Sequence, residues 1–373
     1  MRVLWLLCAS VLLAQTRTEP ASGFAGLAAK AGKAREADRI DEALALYRKA
    51  LGLRPSWAEG WWYLGTLLYD RGAYGESARA FQKVVALSRA RGTALVMLGL
   101  CEFELGQDEN ALNHLQQGDR LGVDDDPQFR QVMFYHEAVL LQRKGKFEGA
   151  RQRLRSLCLT GARTDELVAT LGMTVLRLPY RQPPAGGTDA AEVVSRAGRA
   201  ECLAGQKKFE DARRDYRALA AEHPSYPNIH YAYGRFLLDA NDTAAGLEEL
   251  RQEIRNNPKH TVARLEIAAA QYKVDSAAGL PYAEEAVRLD PAAPQGHYLL
   301  GLLLLDTDDY LRAIPELEIA QKAFRNEAKV YLALGAAYSR AGRDQEAARA
   351  RLEFQRLSRD SKSESELPDS RQL

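Results

Sequence analysis

The sequence predicts an all-α chain, a solenoid of about ten stacked helix pairs. Three observations predict it. A Leu-Gly or Tyr-Gly dipeptide returns at Leu64-Gly65, Leu98-Gly99, Leu171-Gly172, Tyr233-Gly234, Leu300-Gly301 and Leu334-Gly335; Gly65 to Gly99 and Gly301 to Gly335 are both 34 residues. Twelve residues after four of these glycines stands a small side chain (Ser77, Ala111, Ala313, Ala347), and four further on stand Phe81, Leu115, Leu317 and Arg351. Prolines at Pro55, Pro224, Pro258 and Pro291 close units. A fixed period of this length marks helical repeats, in which neither helix of a pair can bury its apolar face without the next pair.

The chain begins with "MRVLWLLCASVLLAQTRT": Arg2, an apolar run from Val3 to Ala14, and small residues at Ala14 and Thr16. This is the pattern of a secretory signal peptide over residues 1–16, followed by a linker over 17–23. The run is short of the ~20 apolar residues that span a bilayer, and no later segment is long and apolar enough to cross one. Bulky Leu7 and the position of the apolar run, mostly after Cys8, argue against a lipoprotein site at Cys8. The expected location is therefore exported, periplasmic or secreted. Export permits disulfides. Without Cys8, three cysteines remain: Cys101, Cys158 and Cys202. They read first as small core residues; one disulfide and a free thiol is the alternative.

Helix pairs are expected to begin near Phe24, Ala58, Gly92, Gln131, Asp165, Val193, Pro227, Thr261, Pro294 and Ala328. The unit from Ala58, which contains "WWYLGTLLYDRGAYGESARAFQKVVAL", shows why. Trp61, Leu64 and Leu68 share one helical face. Gly65 leaves room for a neighbouring helix. Gly72 suits a left-handed turn, where a side chain would be strained. Ala78, Phe81 and Val85 then form the apolar stripe of a second helix.

These residues resemble the tetratricopeptide repeat (TPR) family. Trp61, Leu64, Gly65, Ser77 and Phe81 occupy its signature places, Tyr74 fills the aromatic place after the turn, and Gly99, Gly172, Gly234, Gly301 and Gly335 repeat the structural glycine. The resemblance covers nearly all of the chain after the signal segment. It implies a right-handed superhelical solenoid that binds proteins or peptides. Some units depart from the pattern. The first has Ala31 in place of Gly. The unit from Asp165 runs into "PYRQPPAGGTD", which cannot continue a helix, and a regular helix is expected to resume near Thr188–Ala191. The expected organisation is an N-terminal block over 24–177, a Pro/Gly-rich loop over 178–192, a C-terminal block over 193–357 and a polar tail over 358–373. The unit from Thr261 has the short connection "VDSAAGLP" and an expected compressed second helix.

The 51 basic and 50 acidic residues leave a formal charge of +1, without the clustered basic field that nucleic acid requires. The six histidines show no HExxH spacing, and the acidic turns "GVDDDP" and "DTDD" lack the spacing of a calcium loop. There is no GxxxxGK[ST] and no GxSxG. No metal, no cofactor and no catalysis are expected.

By the resemblance, a partner meets the second, fifth, sixth, ninth, twelfth and thirteenth positions of each unit, which face a concave groove. In the unit from Ala58 these are Glu59, Trp62, Tyr63, Thr66, Tyr69 and Asp70. The next two offer Phe103 and Glu104, then Tyr135, His136, Gln142 and Arg143. Later places hold Tyr231, Arg235, Tyr272, Tyr298 and Arg340. Aromatic side chains and Arg dominate binding hot spots, so Trp62, Tyr63, Thr66, Tyr69, Phe103, Tyr135, His136, Tyr231 and Arg235 are the candidate groove residues. Packing against the next helix is the alternative for each aromatic. The Lys/Asn clamp with which chaperone-binding members of the family hold a C-terminal carboxylate is absent, because Trp62, Tyr63 and Thr66 stand in three of its places. A protein or peptide partner is expected. Self-association through the end units and stacking of sugars on the aromatics are the competing expectations.

Overall fold

The computed structural model describes residues 23–88, 91–123, 126–161, 164–180 and 187–365. The expected signal segment, the Pro183–Gly186 run and the end of the tail lie outside the described residues. All regular structure among the described residues is helical. The chain divides into two compact units, one through Lys207 and one from Lys208. The first contains α1 (Phe24–Glu36), α2 (Ile40–Leu53), α3 (Ala58–Asp70), α4 (Tyr74–Leu87), α5 (Gly92–Glu104), α6 (Asp108–Leu121), α7 (Pro127–Arg143), α8 (Phe147–Leu159), α9 (Asp165–Val175) and α10 (Gly187–Gly205). The second contains α11 (Phe209–Glu222), α12 (Ile229–Asp239), α13 (Thr243–Asn256), α14 (Thr261–Gln271), α15 (Ser276–Leu289), α16 (Pro294–Asp306), α17 (Tyr310–Ala323), α18 (Ala328–Arg340) and α19 (Asp344–Ser365). No described helix is long and apolar enough to cross a membrane.

Within the first unit successive helices pack as antiparallel pairs, from α1 on α2 to α9 on α10, and within the second α12 packs on α13, α14 on α15, α16 on α17 and α18 on α19; inside each unit the second helix of a pair meets the first of the next. The turn inside a pair is built the same way along the chain. One residue adopts a left-handed conformation: Gly72, Gly106 and Gly342 at φ 72° and Gly145 at φ 69°, with Asp38, Asn241, Lys273 and Asp308 in corresponding turns at φ between 57° and 66°. In most of these turns the next N–H closes the helix by donating to a carbonyl five residues back, as from Ala73 to Leu68 and from Arg343 to Tyr338, each at 2.9 Å.

The glycines of the repeat set the helix spacing. A Cβ at Gly65 would lie 2.9 Å from the tip of the Phe81 ring, one at Gly234 2.8 Å from Leu250, and one at Gly301 2.6 Å from Leu317. Each bare backbone is thus the seat of the large side chain on the second helix. Ser77 Oγ donates to the Gly65 carbonyl at 2.8 Å, and the buried Cys101 thiol donates to Ser77 Oγ at 3.2 Å. A third device joins neighbouring pairs. Trp61 Nε1 donates to the Pro55 carbonyl at 2.8 Å. His230, His297 and Tyr331 stand at the same helix position and bond the carbonyls of Pro224, Pro291 and Arg325 at 3.0, 2.9 and 2.9 Å.

Three expectations need revision. α10 begins at Gly187, inside the span expected as loop, and packs on α9 and α8. It forms a close pair with α9. The reason is backbone approach: a Cβ at Gly172 would lie 1.9 Å from the Val194 carbonyl, and one at Gly198 1.9 Å from the Val168 carbonyl. Two glycines facing each other let α9 and α10 cross with no side chain between them. Second, Cys158 and Cys202 are not merely small core residues. They form a disulfide from α8 to α10, with Cα atoms 5.3 Å apart, while Cys101 is a buried free thiol. Arg151 of α8 and Glu201 of α10, both buried, make an ion pair at 2.8 Å between the same helices. Third, α15 is not compressed: it has 14 residues, as α13 and α17 do. Pro281 and Pro315 each stand sixth in their helices, α15 and α17, past the first turn, where each removes one backbone donor.

Candidate functional site

The first helices α1, α3, α5, α7 and α9 carry the positions expected to face a groove in the first unit. α5 is buried almost all round, from Ala94 through Glu102, and α7 from Glu137 through Gln142. Between them the flanking aromatic side chains are half-buried rather than free. The edge of Trp62 meets Phe81, with ring centroids 5.4 Å apart. Tyr63 lies beside Tyr47 at 5.8 Å, and the Arg35 guanidinium sits 3.6 Å above its ring. Thr66 Oγ1 donates to its own helix, at the Tyr63 carbonyl. Tyr69 is edge-on to Tyr74 at 5.3 Å, and burial pushes its phenol well above the ordinary value of 10.

Phe103 and His136 bridge α5 and α7 in a T-shaped contact at 4.6 Å. Arg143 lies 4.6 Å over the Phe103 ring and 5.1 Å over Tyr180, and its charge is met by Asp108 at 2.7 Å. His136 Nδ1 donates to the Val132 carbonyl at 2.8 Å, and desolvation holds the imidazole below the usual 6.5. Tyr135 carries the row on to α9: its hydroxyl donates to Glu166 at 2.9 Å and lies 3.1 Å from Thr170 Oγ1. Gln142 closes the end of the row, donating to the Leu178 carbonyl at 3.0 Å and accepting from Thr174 at 3.2 Å. The structure thus brings Trp62, Tyr63, Thr66, Tyr69, Phe103, Tyr135 and His136 onto three neighbouring helices, where they also hold those helices to one another.

The second unit treats its groove positions differently. Tyr231 is buried, with its ring stacked on His260 at 5.1 Å. Arg235 reaches across to Glu266 on α14 at 2.9 Å. Lys273 pairs with Asp306, and Arg340 with Asp308 at 2.9 Å. Tyr272 and Tyr298 face Lys273 and Lys329. Ion pairs between consecutive first helices therefore tie this row together. A shallow cavity lies beside Arg235, lined also by Asp239, Thr243 and Glu266.

Sequence reasoning missed Glu166, Thr170 and Arg35. The first two stand at the second and sixth places of the unit from Asp165, so the positional rule applied to the earlier units finds them. Arg35 stands at the twelfth place of the unit from Phe24, so the same rule finds it, although no local signal announces that it covers Tyr63.

A sequence model of the tetratricopeptide repeat matches residues 29–91, 65–121, 198–261 and 266–318, more than half of the chain. The chain belongs to the tetratricopeptide repeat family. Solved structures similar to this tetratricopeptide repeat chain include MamA from Desulfovibrio magneticus RS-1, at 21% identity and TM-score 0.42 over 45% of this chain and 96% of that one. Yeast Tom70 is similar at 15% identity and TM-score 0.36, over 89% of this chain and 69% of that one. The Cut9–Hcn1 hetero-tetramer of the APC/C is similar at 12% identity and TM-score 0.37, over 91% and 88%. No curated protein matches the sequence. Tetratricopeptide repeats form protein-interaction scaffolds, and the helix pairs described above are of that kind.

Proposed function

We propose that the chain is an exported, non-catalytic scaffold that holds an extended segment of a partner protein in the groove of its first unit. The observation that carries this reading is the row of half-exposed aromatic side chains on α3, α5 and α7: Trp62, Tyr63, Tyr69, Phe103 and Tyr135. Large flat rings gain much contact area for little loss of side-chain freedom, and three neighbouring helices present them together. Export draws support from the signal-like residues 1–16 and from the Cys158–Cys202 disulfide, a bond that persists in oxidising compartments.

Trp62→Ala tests the reading. Trp62 is half-buried against Phe81, so its loss should cost about 1–2 kcal/mol, below the ~3–5 kcal/mol of a full aromatic core truncation. Helicity by circular dichroism should persist, while affinity capture from an envelope fraction should lose a partner that the wild type retains. Equal capture by both proteins places the site elsewhere. A stability loss in the full core range makes Trp62 a core residue. Self-association is a second reading, favoured by the exposed Leu332 and Leu352 on the last helix pair; a monomer by light scattering sets it aside.

A further inference from the structure

We infer that the groove of the first unit is built for a cationic segment, an extended stretch of partner chain whose Lys or Arg side chains meet Glu59, Asp70, Glu104 and Glu166. This inference rests on the groove reading above and names the chemistry of its occupant. All four carboxylates are exposed and stand on the first helices α3, α5 and α9. None of them forms an ion pair with a described residue; Glu166 accepts a hydrogen bond from Tyr135. They border the aromatic row. Glu104 lies within electrostatic reach of Tyr69 and Tyr74 on one side and of His136 on the other. Asp70 acts on Tyr69, and Glu166 on both Tyr135 and His136.

The second unit supplies the contrast. There the carboxylates at comparable places are answered from within the chain, Asp239 and Glu266 by Arg235 and Asp306 by Lys273. The first unit leaves its four without such partners. It also shows how a cation sits in its groove. Arg35 lies over Tyr63, and Arg143 lies over Phe103 while pairing with Asp108. A guanidinium held between a ring face and a carboxylate is therefore an arrangement this row already contains, and Trp62, Tyr69 and Tyr135 provide further rings beside the unanswered carboxylates. Cation–π contact and charge add in such a site. The same carboxylates repel an acidic peptide or a nucleic acid backbone. With first helices spaced about 10 Å apart, the span from α3 to α9 is roughly 30 Å, which about nine extended residues cover.

Fluorescence anisotropy on the full chain tests this with three labelled peptides of about that length: alternating Lys/Arg and Ala, the same with Glu, and the same with Gln. The cationic peptide should bind and weaken as salt is raised. The double variant Asp70→Asn/Glu104→Gln should weaken it about tenfold, and Glu210→Gln, on α11 of the second unit, should leave it unchanged. Equal binding of the Gln or Glu peptide, unchanged affinity in the double variant, or no binding of the cationic peptide overturns the inference. The two readings separate through Trp62→Ala. If the Gln peptide binds equally well and is lost in Trp62→Ala, the groove stands and only its charge preference fails. If the cationic peptide binds Trp62→Ala and the double variant as it binds wild type, both fail.

Discussion

His230 makes two hydrogen bonds that a neutral imidazole cannot make together. Nε2 faces the Pro224 carbonyl at 3.0 Å, and Nδ1 faces the Glu249 carboxylate at 2.6 Å. Both partners accept, so both ring nitrogens must donate, and only the imidazolium does so. Desolvation pulls the group down, but the hydrogen bond and charge of Glu249, helped by the Pro224 carbonyl and Glu253, outweigh it and raise His230 above the ordinary 6.5. The sign then follows. A raised folded value means that the contribution, about 1 kcal/mol, is fully present below the unfolded value and is lost as pH rises through the folded one. Urea unfolding of the wild type should therefore weaken as pH rises above the ordinary imidazole value of about 6.5, more than unfolding of His230→Ala does. Identical pH dependence in the two proteins excludes the charged ring. His297 repeats the geometry with Glu316 at 2.5 Å and the Pro291 carbonyl at 2.9 Å. Part of this was legible: Trp61 reads as a repeat residue, and each of the four donors stands six residues after the carbonyl that it bonds. The equivalence of Trp, His and Tyr was not legible, because what they share is a donor on a flat ring rather than a residue type.

At the scale of single helices, α10 is where tertiary packing adds most to the local pattern. The sequence from Val193 onward reads as a first helix, since a turn and then Ala212 and Tyr216 follow at fitting intervals. Its packing on α9 and α8 rests on contacts that this reading does not contain: Gly172 against Gly198, Arg151 with Glu201, and Cys158 with Cys202. Periodicity cannot rank such partners, because every apolar face offers itself equally to both sides. The groove shows a similar limit. Position alone selects Tyr231 and Tyr135 alike, yet one ring is buried on His260 and the other ends on Glu166. The disulfide closes a separation of 44 residues, and loop-closure entropy assigns such a link up to about 4 kcal/mol. The double variant Cys158→Ala/Cys202→Ala should therefore lose amide protection in α10 and α8 while α1 to α4 keep theirs. Uniform loss along the first unit would mean that the bond stabilises the unit as a whole and does not specifically hold α10.

Over the whole molecule, the 34-residue period made the architecture readable, because every pair repeats one solution to one packing problem. It also makes stability local. Leu44, Tyr47, Leu51, Leu64 and Leu67 form a core drawn from α1 to α3 alone. Leu300, Leu304, Ile314, Leu317 and Leu334 belong to another, within the second unit. Each compact unit carries its own buried clusters, and the disulfide lies entirely within the first. Such an array needs no contact from distant in the chain to fold a given pair, only the neighbours that cover its two faces. A fragment of residues 23–207 should therefore fold alone, with the helical content and cooperative urea transition of a packed domain. Because Trp62, Tyr69, Glu104, Tyr135 and Glu166 all lie in it, it should also retain the peptide affinity of the full chain to within about threefold, a difference of less than 1 kcal/mol. A fragment of residues 208–365 should fold and leave the same peptide unbound. Binding by the second fragment would move the groove to α12, α14, α16 and α18, and would mean that the ion pairs tying that row open readily enough to admit a ligand.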